Sequence, residues 1–151
     1  MSYTIDKRIE QIDILYNKID ILYHQIAIKQ GLSDSAFMIL RSILVFGEGI
    51  TQTNIYQNIC VNKQTINTAI NNLCKNGIIY FENGKGREIK IYLTDKGKDI
   101  INKKIIPIDE MEKEILNNFT KEEYDMFIDI SNRYINKLEE KVSLLDMDGD
   151  E

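Results

Sequence analysis

The sequence predicts a mainly α-helical protein with one small β-hairpin. Helical spacing of apolar residues runs through most of the 151-residue chain, whereas only residues 78–93 carry two β-rich runs around a glycine-bearing turn. The hydrophobic content of 43% is sufficient for a packed core at this length. We therefore expect one domain or one intertwined unit.

The most informative element is a predicted helix between Asn62 and Gly77. Asn62 is suited to cap its first turn, and Gly77 is suited to end it. Its apolar residues recur at helical spacing and form one stripe, which consists of Ile66, Ala69, Ile70 and Leu73. The remaining face carries hydrogen-bonding or basic side chains and no acid, namely Lys63, Gln64, Asn67, Thr68, Asn71, Asn72 and Lys75. Such a face suits base edges and phosphates in a DNA major groove, and the alternative is an ordinary solvated surface.

A hairpin with a basic tip follows this helix. Residues 78–82 and 88–93 are β-rich, and the turn between them contains two glycines. Lys85 and Arg87 lie at the tip, where a cation can reach a phosphate or a minor groove. Thr94 is then suited to cap a new helix.

Two helices are predicted before this segment. Ser33 is suited to cap the first. Its apolar positions are Phe37, Leu40, Leu44 and Val45. Thr51 is suited to cap the second, which reaches Cys60, and the connection from Cys60 to Asn62 is as short as a helix-turn-helix requires. Residues 33–98 are therefore predicted to form a winged helix-turn-helix core.

Both ends of the chain are predicted to be long apolar helices. Near the N-terminus, apolar residues step alternately by four and three positions in a heptad seam, which consists of Ile5, Ile9, Ile12, Tyr16, Ile19, Tyr23 and Ile26. The last helix begins at a capping box from Thr120 to Glu123. Because these helices carry more apolar surface than the core can cover, residues 1–32 and 99–145 are predicted to form a helical dimerisation region. Its contacts are assigned to Ile5, Ile9, Ile12, Tyr16, Ile19, Tyr134 and Leu138.

The alternative to a dimer is a helical bundle within one chain. Pro107, the only proline, is expected to kink or break the penultimate helix, which runs from residue 95 to about residue 118. Residues 146–151 form an acidic tail that is expected to be disordered.

Basic charge is concentrated in the predicted helix and hairpin, although the whole chain has a net charge of −5. Residues 61–98 contain seven basic and three acidic side chains, a net charge of +4. Residues 99–151 contain seven basic and fifteen acidic side chains, a net charge of −8. This distribution indicates a local patch for a polyanion, which a dimer would double.

At these positions the sequence resembles the MarR family of bacterial transcriptional regulators. The resemblance covers residues 4–143, and its carriers are Leu32-Ser33, Thr51, and the runs from Asn62 to Ile66, from Leu73 to Gly77 and from Leu93 to Gly97. It implies a dimeric winged-helix protein that binds a palindromic operator, often with a ligand or oxidant that weakens DNA binding. Double-stranded DNA and a second copy of the chain are the expected partners, and repression is the expected role.

Two departures from the family pattern concern the DNA contacts. The wing of the family usually carries an Asp-Arg-Arg cluster, of which only the last arginine is present, as Arg87, with Lys85 and Gly86 in the other places. The recognition helix is also poor in arginine, so the family's guanine-reading contact is missing from it. An AT-rich operator is therefore expected.

The DNA contacts are assigned to Asn62, Lys63, Gln64, Thr65, Asn67, Thr68, Asn71, Lys75, Lys85 and Arg87. The resemblance further implies an effector pocket between the dimer helices and the DNA-binding lobe. Five side chains on the predicted walls suit an aromatic carboxylate, and core packing or a solvated surface is the alternative for each: Tyr16, Tyr23, His24, Met38 and Arg41.

Enzyme chemistry has little support, because the sequence contains no phosphate loop, no nucleophile elbow and only one histidine, His24. Cys60 and Cys74 lack metal-binding spacing and are expected to be buried, reduced thiols, so no metal or cofactor is predicted. A cytoplasmic protein without signal peptide or membrane span is expected. Two alternatives stay open: a winged-helix protein-interaction module without DNA binding, and a regulator that responds to oxidation of Cys74 beside Lys75.

Overall fold

The computed structural model describes residues 4–59, 61–86 and 88–145. Its elements are α1 (Lys7–Lys29), α2 (Asp34–Phe46), β1 (Ile50–Thr51), α3 (Gln52–Asn58), α4 (Lys63–Lys75), β2 (Ile79–Asn83), β3 (Ile89–Leu93), α5 (Asp95–Ile100), a π-helical segment (Ile101–Ile105), α6 (Ile106–Leu116) and α7 (Lys121–Val142). The predicted fold class, mainly α with a small β wing on a winged helix-turn-helix, is confirmed. The chain divides into two compact units, of which the first ends at Pro107 and the second begins at Ile108.

The core of the first unit draws one or more fully buried side chains from each of α2, α3, α4, the sheet and the π-helical segment. These are Ile39, Leu40, Ile43, Ile55, Ile66, Ile70, Ile79, Ile91 and Ile105. The apolar stripe predicted for α4 is confirmed, with Leu73 also buried and Ala69 half-buried. The polar face of α4 is therefore directed away from the core.

The stripe predicted for α2 is correct for Phe37 and Leu40, which are buried, and wrong for Leu44 and Val45, which are exposed. The helix instead buries Ile39 and Ile43. Leu44 lies on the same stripe as Phe37 and Leu40, but in the last turn of α2, where it and Val45 remain exposed.

Four helices of the first unit begin at the residues that the sequence predicts. Four side chains each accept a backbone N–H from the first turn of the following helix: those of Ser33, Thr51, Asn62 and Thr94. These bonds satisfy amides that have no partner within the helix. At the other end of α4, Gly77 has a φ of +65°, and Ile78 N donates to Leu73 O at 2.9 Å, which closes the helix.

The sheet contains a strand that the sequence analysis missed. The strand order is β1-β3-β2, and both pairings are antiparallel. In β1, Ile50 pairs with Ile91 and Thr51 pairs with Lys90. A strand of two residues has no periodicity that could predict it. Because Thr51 is also the cap of α3, β1 joins the wing to the start of the helix-turn-helix.

Two helix boundaries differ from the expectations. Ile5 precedes α1 instead of lying in it, because Asp6 caps the helix and accepts from Arg8 N at 2.8 Å. Pro107 does not break its helix. The π-helical segment lies just before it, where the N–H of Ile106 bonds to the carbonyl of Ile101. Since proline lacks an N–H and crowds the preceding turn, a locally wider turn lets the helix continue.

In the second unit, α7 begins at the predicted capping box. Thr120 N donates to Glu123 Oε2 at 2.8 Å, and Glu123 N donates to Thr120 Oγ1 at 3.2 Å. None of the residues of α7 is buried.

The acidic tail predicted for residues 146–151 lies outside the described residues. Among the helices that the structure describes, none is long and apolar enough to cross a membrane.

Candidate nucleic-acid interface

The outer face of α4 is the centre of the candidate interface. All the side chains that the sequence assigned to DNA contact on this helix and its cap are exposed: Asn62, Lys63, Gln64, Thr65, Asn67, Thr68, Asn71 and Lys75. The helix itself contains no acidic residue. The face therefore offers hydrogen bonds and positive charge without a carboxylate that would repel phosphate.

Internal hydrogen bonds decide what the hydroxyl groups on this face can offer. Thr65 Oγ1 donates to Asn62 Oδ1 at 2.9 Å, and Thr68 Oγ1 donates to the carbonyl of Gln64 at 2.9 Å. Each hydroxyl has one hydrogen, which these bonds use. Thr65 and Thr68 can therefore offer an acceptor oxygen and a methyl group to a ligand.

Tyr56 on α3 contacts the recognition face, which the sequence analysis did not anticipate. Its hydroxyl donates to Asn67 Oδ1, and Lys63 Nζ lies 5.9 Å from the centroid of its ring. The only sequence signal was an aromatic residue next to the buried Ile55 on a short helix. This position alone does not identify the partner of the hydroxyl.

The wing presents Lys85 at its tip, where the side chain is exposed. Gly86 has a φ of +68°, a conformation that favours glycine, so the turn depends on this residue. Arg87, the other predicted tip contact, lies outside the described residues. Two acidic residues, Glu82 and Glu88, lie near the tip. Glu82 is the cross-strand partner of Lys90, whose positive charge offsets the negative charge of Glu82.

The outer side of the wing also carries two stacked phenols, Tyr80 and Tyr92, whose ring centroids are 5.6 Å apart. Desolvation raises the pKa of Tyr80, and the carboxylates of Glu82 and Glu48 raise it further. This phenol therefore stays neutral and adds no negative charge to the wing.

The lysines of the interface are not neutralised within the part of the chain that the structure describes. Lys63, Lys75 and Lys85 have no ion pair with an acidic side chain among those residues. By contrast, Lys98 outside the interface forms an ion pair, with its Nζ 3.8 Å from Glu48 Oε1. An acidic side chain folded across the patch would have favoured the protein-interaction module. The open charges favour a polyanion.

The N-terminus of α2 borders the recognition helix. A shallow groove between them is lined by Ser33, Ser35, Gln64, Thr65, Thr68, Ala69 and Asn72. The two serines were not assigned to the interface from the sequence, because nothing in the spacing indicates that α2 begins beside α4.

The five predicted effector-pocket residues are only partly brought together. The Arg41 guanidinium lies 5.4 Å from the centroid of the Tyr23 ring. His24 Nδ1 lies 2.9 Å from Asp34 Oδ2, which joins α1 to the first turn of α2. Tyr16 is exposed on α1, two turns before Tyr23, and Met38 is half-buried on α2.

Of the two cysteines, Cys74 is half-buried near the end of α4, so the expectation of a buried thiol is met only in part. Cys60 lies outside the described residues.

The geometry described so far is that of a winged helix-turn-helix protein. No protein-family model matches the sequence, and no curated protein sequence matches it. Solved structures do match. A MarR family regulator from Neisseria meningitidis has a TM-score of 0.79 at 20% identity, over 90% of this chain and 96% of that chain. The MepR–DNA complex of Staphylococcus aureus has a TM-score of 0.70 at 17% identity, over 85% and 94%.

A third structure, Staphylococcus aureus MarR in complex with salicylate and kanamycin, has a TM-score of 0.68 at 19% identity, over 89% of this chain and 91% of that chain. The chain therefore has the fold of MarR family regulators along most of its length, as the sequence motifs indicated. At this level of identity, the likeness establishes the architecture, and the role of each residue is argued from the geometry above.

Proposed function

We propose that this protein is a MarR-type transcriptional regulator without enzymatic activity, which binds a pseudo-palindromic, AT-rich operator as a homodimer and acts as a repressor. The observation that carries the proposal is the outer face of α4, which exposes polar and basic side chains and no acid along its whole length. The MepR relative was solved as a complex with DNA, which supports DNA as the partner of this fold.

The interface divides by chemistry into two groups. Gln64, Asn67 and Thr68 lie in the first turns of α4, where helices inserted into a major groove usually touch base edges. Lys63, Lys75, Lys85 and Arg87 supply positive charge and meet phosphates. The first group therefore sets the preferred sequence, and the second sets the affinity for all DNA.

A homodimer explains the apolar side chains of the terminal helices. On α1, Ile9, Tyr16 and Ile19 are exposed, and on α7, Tyr134 and Leu138 are exposed. Soluble monomers rarely expose apolar surface of this extent. A second copy of the chain supplies an apolar surface of the same kind, and a two-fold dimer presents two recognition helices to half-sites about 34 Å apart.

A small aromatic carboxylate is the proposed effector class. The MarR relative was solved with salicylate, and in this chain Arg41 supplies a cation beside the aromatic ring of Tyr23. A ligand that prefers one spacing of the recognition helices shifts the dimer toward or away from the operator.

The proposal is tested by selecting genomic fragments with the purified protein and then measuring the affinity of variants for the selected site and for random DNA. Gln64→Ala and Asn67→Ala should each reduce the preference at one base pair by about 1 to 3 kcal/mol. Lys85→Ala and Arg87→Ala should each weaken binding to all sequences and lower the slope of log affinity against log salt by about one.

Lys141→Ala is a matched control, because it removes the same charge from α7, to which the proposal assigns no DNA contact. It should leave the salt slope unchanged. If the Gln64 and Asn67 variants lose equal affinity for the operator and for random DNA, the assignment of base-reading residues is wrong. If the selection enriches no sequence, the protein-interaction module replaces the proposed function.

A further inference from the structure

The side chain of Tyr56 on α3 contacts two residues of α4, the recognition helix: Lys63 and Asn67. The Tyr56 hydroxyl donates to Asn67 Oδ1, and Lys63 Nζ lies 5.9 Å from the Tyr56 ring centroid. Lys63 and Asn67 are four residues apart and therefore lie on the same face of α4. Tyr56 is half-buried while its neighbour Ile55 is fully buried, so the tyrosine lies at the edge of the core, beside the exposed face.

The hydrogen bond from Tyr56 determines which end of the Asn67 amide is available. An unrestrained asparagine can bind adenine with both ends, because its oxygen accepts from N6 and its nitrogen donates to N7. In this protein the oxygen of Asn67 accepts from the tyrosine hydroxyl. This bond holds the oxygen toward α3 and uses one of its two acceptor sites, whereas both donor hydrogens of the nitrogen remain for a ligand.

Gln64 provides an internal contrast on the same helix. Its side chain is exposed and makes no hydrogen bond to another residue that the structure describes, although its backbone carbonyl accepts from Thr68. Gln64 therefore keeps both ends of its amide available, whereas Asn67 is oriented by its partner on α3.

We propose that Tyr56 is a positioning residue that determines specificity, because it makes Asn67 read bases as a hydrogen-bond donor. In the major groove, guanine presents the adjacent acceptors N7 and O6 and thymine presents the acceptor O4. Cytosine presents a donor at N4, and adenine presents the donor N6 beside its single acceptor N7. At the base that Asn67 contacts, the protein then prefers guanine or thymine and lacks the usual preference of asparagine for adenine. The inference rests on the proposed DNA-binding function and names a determinant of it.

The test is Tyr56→Phe, which retains the ring, its packing and its contact with Lys63 but removes the hydroxyl. The affinity for the selected operator and for all of its single-base substitutions is measured for four proteins. These are wild type, Tyr56→Phe, Asn67→Ala and the double variant. At one base pair, the affinity ratio of guanine or thymine to adenine should fall about threefold to tenfold in Tyr56→Phe, the value of one hydrogen bond. In the Asn67→Ala background, Tyr56→Phe should have no further effect on this ratio.

Several controls separate a change of reading from a change of structure. The preference at the base pair that depends on Gln64, the affinity for random DNA and the salt slope should remain those of wild type in Tyr56→Phe. Tyr124→Phe removes a phenol hydroxyl from α7, where no DNA contact is assigned, and should leave the whole preference profile unchanged.

Three results would overturn the inference. If wild type selects an operator and Tyr56→Phe keeps the same profile, Tyr56 does not position Asn67, and the proposed function stands. If Tyr56→Phe weakens all sequences equally, the tyrosine has only a structural role. If wild type enriches no sequence at all, the proposed function fails and the role of Tyr56 fails with it.

Discussion

Helices α4 and α1 have the same kind of apolar spacing and very different burial. In α4, Ile66 and Ile70 are 0% exposed, whereas in α1, Ile9 is 54% exposed and Ile19 is 48% exposed. The stripe of α4 is covered by other elements of its own chain. The comparison shows that periodicity identifies the apolar face of a helix but does not identify what covers that face.

The contrast continues within α1 itself. Toward its C-terminal end, Ala27 is fully buried, and the Tyr23 ring lies 6.5 Å from that of Phe37 on α2. Ile9, Tyr16 and Ile19, nearer its start, are exposed. In the second unit, α7 has no buried residue. The exposed apolar residues of these two helices include Ile9, Tyr16 and Ile19 of the heptad seam and Tyr134 and Leu138 of α7, which the sequence analysis assigned to a dimer.

The largest effect is expected from Ile19→Glu. In the proposed dimer this change buries an unpaired carboxylate in each subunit, which costs several kcal/mol, so we expect folding and dimerisation to fail together. The measurement is sedimentation velocity combined with thermal unfolding at two protein concentrations. Asn17→Glu is the matched control, because it adds the same charge on the opposite side of α1 and should remain dimeric. A folded Ile19→Glu monomer that keeps its operator affinity would contradict the dimer.

A smaller effect is expected from Ile70→Ala in α4, which leaves a cavity in the core of the first unit. The free energy of unfolding should fall by about 2 to 5 kcal/mol, because Ile70 is fully buried. Urea denaturation measures this loss. Asn71→Ala, next to it on the exposed face, should change stability by less than about 0.5 kcal/mol. Similar losses in the two variants would show that α4 is not packed as described.

The smallest effect on DNA binding is expected from Arg41→Ala. This variant tests whether Arg41, which contacts Tyr23, also binds the proposed effector. Operator affinity should change by less than about threefold, or about 0.7 kcal/mol. Release of DNA by salicylate should be lost, because the cation that lies over Tyr23 is removed. Salicylamide, which lacks the carboxylate, is the ligand control in a competition assay. If salicylate neither raises the melting temperature of wild type nor releases its DNA, the aromatic-acid pocket is wrong.

Local signals predicted much of the fold. The caps at Ser33, Thr51, Asn62 and Thr94, the glycine that ends α4 and the hairpin all follow from interactions within a few residues, and all are present in the structure. The exposed side of α4 also follows, since burying one stripe leaves the opposite face in solvent. The candidate recognition surface was therefore accessible from the sequence.

Features that depend on distant partners were missed. β1 exists because two residues pair with β3, which lies about 40 positions later in the chain. The exposure of Leu44 and Val45 depends on how far along α2 its packing partners extend. The partner of Asn67 comes from another helix.

The sequence by itself determined where α2, α3, α4, α5 and α7 begin, where the hairpin lies and which face of α4 is apolar, because these properties depend on backbone bonds and spacing over a few residues. Tertiary structure alone decided which groups remain available for chemistry. In the sequence Asn67 is one of several amide side chains on α4, and only the position of Tyr56 directs its oxygen toward α3. Local rules do not predict this orientation, because a hydrogen bond between two helices depends on how their axes and side chains pack.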